Sequence, residues 1–223
     1  IKLDYSSLRK LLFRIGDSLE NAPTDPRDAL NYYENIEKLD SQGDGLRSFV
    51  ATLLVILIGK KSVLLLDEPE SFLHPPQAYR LGEVIANHAN SNRQIIVSTH
   101  SSEFLRGILS KTQNLSIIRI DRFGNSNNIK LLDSNQVASI STDPLLSSTR
   151  IMDGLFYKGA IVVEADADSI FYQRIARQLD RPDNFHITHA HNKQTVSKVF
   201  YPYRTLGIKF SAIVDFDIIR VKT

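Results

Sequence analysis

The sequence of 223 residues contains no cysteine and carries almost no net charge. Without cysteine the chain has neither disulfide bonds nor thiolate metal sites, which fits a protein of the reducing cytosol. A net charge of +2 creates no global field that would attract nucleic acid. The longest apolar stretch, residues 49–58, falls well short of the ~20 residues that span a bilayer. We therefore expect a cytoplasmic protein without a membrane segment, in which residues 49–58 form a buried helix.

A phosphate-binding loop of the form G-x-x-x-x-G-K-S/T is also missing. The segment Gly59-Lys60-Lys61-Ser62 is superficially similar, but it lacks the leading glycine and the lysine–serine register. A basic turn between a helix and a strand is the better interpretation. Because the chain also begins at Ile1 without an initiator Met, we expect it to be the C-terminal part of a larger nucleotide-binding domain.

The most informative stretch that is present is S-V-L-L-L-D-E-P-E-S-F-L-H-P, residues 62–75. The apolar run 63–66 predicts a strand buried on both faces of a parallel sheet. It delivers Asp67 and Glu68 to its carboxyl end, where α/β sheets perform their chemistry. In a nucleotide-hydrolysing site Asp67 would hold Mg²⁺ and Glu68 would polarise the attacking water. The alternative is a strand that ends in a charged turn.

Two further segments flank this strand in a consistent order. Upstream, S-Q-G-D-G at residues 41–45 precedes an apolar helix predicted over 46–58. Glycines before a helix N-terminus permit close approach to a phosphate. Downstream, a second buried strand is predicted over 94–97 and is followed by Ser98, Thr99 and His100. An imidazole at the end of a strand can hydrogen-bond a terminal phosphate.

These three segments together resemble the ABC-type ATPases. Residues 41–45 are similar to the signature loop, and residues 63–68 to the Walker B strand with its catalytic glutamate. Residues 70–75 are similar to the D-loop in the form found in the overcoming-lysogenisation-defect (OLD) class, and His100 falls at the switch histidine. The resemblance implies that Ser41, Gly43 and Gly45 bind ATP held by another subunit. It therefore implies a homodimer or higher homo-oligomer with ATP at the interface.

A second informative region begins with K-G-A-I-V-V-E at residues 158–164. It predicts a strand over 160–163, then Glu164, then a helix over about 168–179. The apolar positions of that helix form a predicted buried stripe: Ile170, Phe171, Ile175 and Leu179. A later strand over 210–214 ends in Asp215 and Asp217, which point the same way in extended backbone. Carboxylates that converge on one sheet edge repel each other unless they bind hard cations such as Mg²⁺ or Mn²⁺.

This second region resembles the Toprim domain of topoisomerases, primases and OLD-type nucleases. Glu164 matches the glutamate after the first strand of that domain, and Asp215 and Asp217 match its D-x-D. Asp168 matches an acidic residue that OLD-type members often carry four positions further on. The resemblance implies that Glu164, Asp168, Asp215 and Asp217 are metal ligands, with Glu164, Asp215 and Asp217 catalytic. A departure is Ala165, where many members have glycine.

The rest of the chain carries weaker signals. Helices are predicted over 2–19, 28–39 and 101–109, a hairpin over 115–120 and 128–132, and a polar joint over 139–148. His189 and His191 lack the further ligands of a zinc site, which favours a loop that contacts DNA or the Toprim edge. Six basic residues of the second half are candidate phosphate contacts, or else a solvated surface: Lys193, Lys198, Arg204, Lys209, Arg220 and Lys222.

The predicted fold class is α/β. Residues 1–148 are expected to form the C-terminal lobe of an ABC-type ATPase head, a parallel sheet flanked by helices, and residues 149–223 a partial, Rossmann-like Toprim domain. This order resembles the OLD-family nucleases, which include effectors of bacterial anti-phage defence. It implies an ATP-regulated, Mg²⁺- or Mn²⁺-dependent DNA endonuclease, with a second defence-system subunit as a candidate partner.

Two other functions remain open at this stage. One is an ATPase that acts as a clamp or nucleotide sensor, with the Toprim region as a non-catalytic scaffold. The intact Glu164, Asp215 and Asp217 argue against such a scaffold. The other is a topoisomerase or primase, which is weaker because their Toprim domains do not follow an ABC signature.

Overall fold

A computed structural model describes residues 1–4, 6, 12–17, 19, 21, 23–89, 92–179 and 185–216. The chain divides into two compact units, Ile1–His74 with Ser91–Val97, and Pro75–Asn90 with Ser98–Thr223. The first unit contains β1 (Lys2–Asp4), β2 (Leu12–Ile15), α1 (Pro26–Glu34), β3 (Glu37–Lys38), α2 (Asp44–Ile58), β4 (Val63–Asp67) and most of β5 (Gln94–Ser98). None of the described helices is long and apolar enough to cross a membrane.

The second unit is built from helices and two small sheets. Its elements are α3 (Pro75–His88), α4 (Ser102–Leu109), β6 (Ile117–Phe123), β7 (Ser126–Leu132), α5 (Ser134–Ser141), α6 (Thr149–Asp153), β8 (Gly159–Val163), α7 (Asp166–Gln178), β9 (Phe185–His189), α8 (Val196–Thr205) and β10 (Lys209–Ile213). The parallel sheet has the order β10-β8-β9, with β8 in the centre. A mixed α/β fold with a parallel sheet agrees with the predicted fold class.

The predicted helix over residues 2–19 is wrong. β1 and β2 pair antiparallel there, with Asp4 opposite Leu12, and β2 continues the sheet to β3. Arg14 is buried in β2, and its Nε lies 2.7 Å from Oδ2 of the buried Asp4. Arg14 also donates to the carbonyl of Ile36 at 2.7 Å. The apolar spacing mimics a helix, but the structure pairs these residues as strands and brings Asp4 and Arg14, ten residues apart in the chain, into contact.

The helix predicted over residues 28–39 is shorter and begins earlier. α1 starts at Pro26, where proline suits the first helical turn, and the Asp25 side chain caps it by accepting from the Arg27 N–H at 2.8 Å. It ends at Glu34 and is followed by β3. The next helix, α2, confirms the prediction over 46–58 with two additional residues at its start.

β4 and β5 form where strands were predicted and pair with each other, but they are not buried on both faces. Val63, Leu65 and Ile96 are 51%, 71% and 51% exposed, while the alternate positions are half-buried. α2 likewise buries only a stripe that contains Val50 and Ile56, and it exposes Leu57 and Ile58. Continuous apolar runs do not reveal which face lacks a neighbour, so the expectation of full burial was wrong for these elements.

In the second unit, α3 and α4 pack at very close range. A Cβ added at Gly107 would lie 2.0 Å from the carbonyl oxygen of Tyr79, and one at Gly82 would lie 2.3 Å from that of Phe104. α4 begins one residue later than predicted, because the Ser101 side chain caps it by accepting from the Phe104 N–H. The predicted hairpin is confirmed as β6–β7, with longer strands and a turn at Gly124 (φ +59°).

One hydrophobic core organises the second unit. It includes Leu105 of α4, Leu132 of β7, Val162 of β8 and Val199 of α8. Ile140 and Leu146 also belong to it. The joint predicted over residues 139–148 and the domain boundary at 148/149 stay predictions.

The parallel sheet confirms the strands predicted before Glu164 and Asp215, each beginning one residue earlier than expected. β8 is buried along almost its whole length, which fits its central position. α7 begins at Asp166, but its predicted buried stripe is wrong: Ile170, Phe171 and Leu179 are 60%, 59% and 67% exposed. The helix instead buries Ser169, so the apolar positions of this short helix do not mark its packed face.

Candidate functional site

The glycine-rich loop at residues 41–45 leads directly into α2. Gly43 occupies the N-cap position of α2. Because glycine has no side chain, this position offers no side-chain acceptor to the N–H groups of the first helical turn. A Cβ at Gly43 would meet no atom within 4 Å. Ser41, the first residue of this loop, also ends a short helical turn over Leu39–Ser41. Its hydroxyl donates to the Lys38 carbonyl at 2.7 Å. This end of α2 has the dipole and donors that suit an anion.

Gly45 has a different structural requirement. A Cβ at this position would lie 2.5 Å from the carbonyl oxygen of Phe72. The backbone at Gly45 therefore lies directly against that of Phe72, which belongs to the segment that resembles a D-loop. Phe72 itself has φ +67° and is 77% exposed. Glycine at position 45 permits this approach, a role that the sequence alone did not separate from phosphate binding.

Asp67 and Glu68 stand where the sequence predicted them, at the carboxyl end of β4. Asp67 is the last residue of the strand and is exposed. Glu68 has φ +43°, in the left-handed region that non-glycine residues rarely occupy. Its carbonyl accepts from the Ser71 N–H at 2.9 Å, which closes the turn. A strained backbone at a candidate catalytic carboxylate is typical of functional sites.

His100 follows the end of β5 and belongs to the second compact unit, whereas Asp67, Glu68 and residues 41–45 belong to the first. It is exposed, and Ser101, the cap of α4, follows it directly. The Ser101 N–H donates to the hydroxyl of Thr99 at 3.0 Å. His100 therefore directly precedes the capped start of α4. Its role as a switch residue stays a prediction.

Two acidic residues of the second region, Glu164 and Asp215, lie side by side at the edge of the parallel sheet. Val163 of β8 is paired with Ile213 of β10, so Glu164 and Asp215 both lie just beyond the carboxyl ends of adjacent strands. The Asp215 backbone N–H donates to Oε1 of Glu164 at 3.1 Å. The structure thus brings together two of the predicted metal ligands that are 51 residues apart in the chain.

Asp168 has a structural role at this edge. Its Oδ2 accepts from the Ala165 N–H at 3.1 Å and so caps the first turn of α7. Asp217 lies outside the described residues. Among the residues that the structure describes, no three His, Asp or Glu side chains converge as a metal-binding group. The assignment of Asp168 and Asp217 as ligands stays a prediction.

One cluster at this edge was only partly foreseen. His189 ends β9 opposite Val163 and is 4% exposed. Its Nε2 contacts the Arg150 guanidinium and lies 3.3 Å from Oδ1 of Asp166. The His191 ring, with φ +69° at that residue, meets the His189 ring edge-on at 4.7 Å between centroids. Burial, then the charges of Arg150 and His191, lower the pKa of His189.

The sequence predicted that the two histidines lie in a loop that contacts DNA or the edge of the Toprim sheet. His189 instead ends β9, and the sequence did not point to Arg150. Arg150 lies on the short helix α6, 39 residues before its partner His189. No local motif marks it, because its position depends on the packing of α6 against the core through Ile151 and Met152. Two of the six candidate phosphate-contacting residues, Arg220 and Lys222, lie outside the described residues. Lys198, another of the six, pairs with Asp143.

Each of the two regions matches a known family model. Residues 5–106 match the family described as "AAA domain, putative AbiEii toxin, Type IV TA system" (AAA_21). Residues 155–217 match the family described as "Overcoming lysogenization defect protein-like, TOPRIM domain". The second match contains Glu164, Asp168, Asp215, Asp217, His189 and His191. Arg150 lies just before it.

Two curated phage proteins are similar in sequence. Old nuclease of Escherichia phage P2 is 25% identical over 170 residues, which is 71% of this chain and 28% of that protein. Protein ea59 of Escherichia phage lambda is 32% identical over 107 residues, 42% of this chain and 20% of that protein. The chain thus spans less than a third of the length of either relative.

One solved structure is similar at low level. It comes from a study of ATP-driven dimerization and DNA-stimulated activation of SMC ATPases. The match covers 48% of this chain and 64% of that chain, with 15% sequence identity and a TM-score of 0.38.

Proposed function

Since the chain joins an AAA_21-type ATPase region to an OLD-like Toprim domain, an arrangement consistent with the OLD family, we propose that it is part of an ATP-regulated DNA endonuclease that needs divalent metal. The observation that carries this proposal is the meeting of Glu164 and Asp215 at the carboxyl edge of the parallel sheet, with Asp215 N–H donating to Oε1 of Glu164. The relative named Old nuclease supports the nuclease class.

The donor set at this edge fits a hard cation. Carboxylate oxygens are the ligands that Mg²⁺ and Mn²⁺ prefer, and Glu164 and Asp215 already lie within one hydrogen bond of each other. These two residues, with Asp217 beyond them in the chain, would hold the metal. A bound divalent ion would supply charge stabilisation and a reactive water for phosphodiester hydrolysis. The chain's own part is to hold Glu164 and Asp215 just beyond the ends of the adjacent strands β8 and β10.

The ATPase region supplies the control function. In our proposal Glu68 orients the water that attacks the γ-phosphate, and Asp67 helps to hold the nucleotide's Mg²⁺. The uncapped start of α2 at Gly43 offers N–H donors to an ATP molecule bound by a second copy of the full-length protein. The active form is therefore a homodimer or higher homo-oligomer.

Contacts within the second unit support communication between the two activities. α4 begins two residues after His100, and the Ser102 hydroxyl at its start bonds the carboxylate of Asp153 in α6. Arg106 of α4 also donates to the Ser147 carbonyl at 3.1 Å. α6 in turn carries Arg150, which contacts His189. His189 lies at the Toprim edge, the edge of the parallel sheet that also holds Glu164 and Asp215. In our proposal, a movement at His100 is transmitted to the nuclease site through the contacts of α4 with α6 and of Arg150 with His189.

In a cell we propose that the full-length protein is cytoplasmic, cleaves DNA and serves in bacterial defence against phage. A second defence-system subunit is a candidate partner. The motivation is the OLD-like domain order together with similarity to two phage proteins.

The experiment that tests the nuclease assignment uses the full-length protein and supercoiled plasmid DNA. We expect nicked and linear products with Mg²⁺ or Mn²⁺ and none with a chelator. Products that form equally well in the presence of the chelator would contradict metal-dependent cleavage. Absence of products under all metal and nucleotide conditions would contradict the nuclease assignment itself.

A second candidate function is an ATP-dependent clamp or nucleotide sensor with a non-catalytic Toprim scaffold. The observation that favours it is the capping role of Asp168, which engages one of the four predicted metal ligands at the start of α7. Under this alternative, the full-length protein binds DNA in an ATP-dependent manner but leaves the plasmid intact.

A further inference from the structure

We propose that Arg150 binds a backbone phosphate of the DNA substrate beside the carboxylate edge, and that His189 positions the Arg150 side chain for this contact. This inference rests on the proposed nuclease function. It adds to that function a substrate-binding residue on α6 and a positioning residue at the end of β9. Neither residue belongs to the acidic set predicted from the sequence.

The placement of the pair follows from the strand register. His189 is paired with Val163, the last residue of β8, and the next N–H, that of Ala190, donates to the Val163 carbonyl at 2.9 Å. Glu164 follows Val163 directly. The edge of the sheet thus holds the candidate metal carboxylates on β8 and β10 and the Arg150–His189 contact on β9.

The chemistry of the contact defines the state of the imidazole. A guanidinium only donates hydrogen bonds, so Nε2 of His189 accepts from Arg150 and the ring proton resides on Nδ1. Burial and the Arg150 charge lower the pKa of His189 and agree with a neutral ring. Nε2 also lies 3.3 Å from Oδ1 of Asp166. Since the ring proton resides on Nδ1, Nε2 has no proton to donate to this carboxylate. We therefore assign the Arg150 contact as the hydrogen bond.

Two features distinguish this pair from ordinary packing. His189 is 4% exposed, yet its Nδ1 has no hydrogen-bond partner among the described residues. A buried donor without an acceptor is unfavourable, and a residue that served packing alone would avoid it. Arg150, in contrast, is exposed, so a charged head group is held at the surface by a rigid buried ring. The guanidinium fork matches the geometry of a phosphate.

The test measures the salt dependence of DNA binding by the full-length protein. A fluorescent duplex is titrated by anisotropy at several salt concentrations, in the presence of a chelator so that no cleavage occurs. Loss of one phosphate contact lowers the slope of log K against log salt by about 0.9 for duplex DNA. We expect Arg150→Ala to lower the slope by this amount and to weaken binding by about tenfold. Arg150→Gln, which keeps a planar donor, provides a second variant if Arg150→Ala does not fold.

The matched control is Arg174→Ala, which removes the same charge. Arg174 is exposed on α7, eight residues after the start of that helix at Asp166 and thus about 12 Å along its axis. We expect the slope of this variant to equal that of the wild type. His189→Asn should weaken binding in the wild-type background but should have little further effect in Arg150→Ala, because His189 acts through Arg150.

The outcomes separate this inference from the proposed function. If wild-type protein cleaves DNA and Arg150→Ala and Arg150→Gln retain the slope of Arg174→Ala, the assignment of Arg150 is wrong. If His189→Asn weakens binding equally with and without Arg150, the positioning role of His189 is wrong. Failure of the wild type to bind or cleave DNA contradicts the proposed nuclease instead.

Discussion

At the scale of single residues, Glu68 combines a position at the end of β4 with a left-handed backbone, φ +43°. If it orients the attacking water, Glu68→Gln in the full-length protein should bind ATP but hydrolyse it about 10²–10³-fold more slowly, the usual loss when one transition-state group is removed. Phosphate release under saturating ATP measures the effect. Glu34→Gln, an exposed carboxylate in α1, is the matched control, and wild-type turnover in Glu68→Gln would contradict the assignment.

Asp143 gives a residue-scale prediction about stability. A hydrogen bond from Lys198 holds the pKa of Asp143 below its ordinary value of 3.8. Because the folded-state pKa is the lower one, the stabilisation is present above the unfolded pKa and is lost as pH falls through the folded value. Lys198 is half exposed, so solvent screening limits the effect to about 1 kcal/mol or less.

The measurement is the free energy of unfolding of wild type and Asp143→Asn from pH 7 to pH 3. The variant should be slightly less stable at pH 7, and the difference should shrink below pH 4. A difference that grows as pH falls would show that Asp143 is not stabilised as a carboxylate.

At the scale of elements, the contact between α3 and α4 depends on glycine. A Cβ at Gly107 would meet the Tyr79 carbonyl oxygen at 2.0 Å, a distance that forces the helices apart. We expect Gly107→Ala to destabilise the protein by about 1–3 kcal/mol, measured by urea unfolding. Asn87→Ala, at an exposed position of α3, is the control. Equal stability of the two variants would contradict the close packing of these helices.

The contact between α4 and α6 gives a prediction about coupling. Ser102→Ala removes the hydroxyl that bonds Asp153. We expect ATP hydrolysis and basal cleavage to persist, while the ratio of DNA cleavage with and without ATP moves toward one. Ser110→Ala, at the other end of α4 where the hydroxyl bonds the Gly107 carbonyl, should keep the wild-type ratio. An unchanged ratio in Ser102→Ala would exclude this contact as a route of communication.

The elements also show what the sequence could predict. The apolar runs before Glu164 and Asp215 correctly located β8 and β10. A short apolar run that ends in carboxylates is typical of a strand in an α/β sheet. β1 and β2 were predicted as a helix, because no local pattern reveals that Asp4 and Arg14 form a buried ion pair between two strands. The position of Arg150 beside His189 depends on tertiary packing of α6, for which no local pattern exists.

At the scale of the whole molecule, the chain contains the signature-like loop and Walker B-like strand but no G-x-x-x-x-G-K-S/T loop. The backbone cradle and lysine that hold β- and γ-phosphates are therefore absent. We expect the 223 residues alone to bind ATP with Mg²⁺ far more weakly than micromolar, as calorimetry would measure. Micromolar binding would mean that residues 59–62 or another segment form a phosphate site.

The central claim is that the Toprim edge cuts DNA at a site separate from Asp67 and Glu68. The most direct test compares plasmid nicking and ATP hydrolysis, in the same Mn²⁺ or Mg²⁺ buffer, for full-length wild type, Glu164→Ala and Asp215→Ala. The account predicts that both variants lose nicking, by at least about 10²-fold, while their ATP hydrolysis stays close to that of the wild type. Undiminished nicking by both variants would contradict it and place the active site elsewhere.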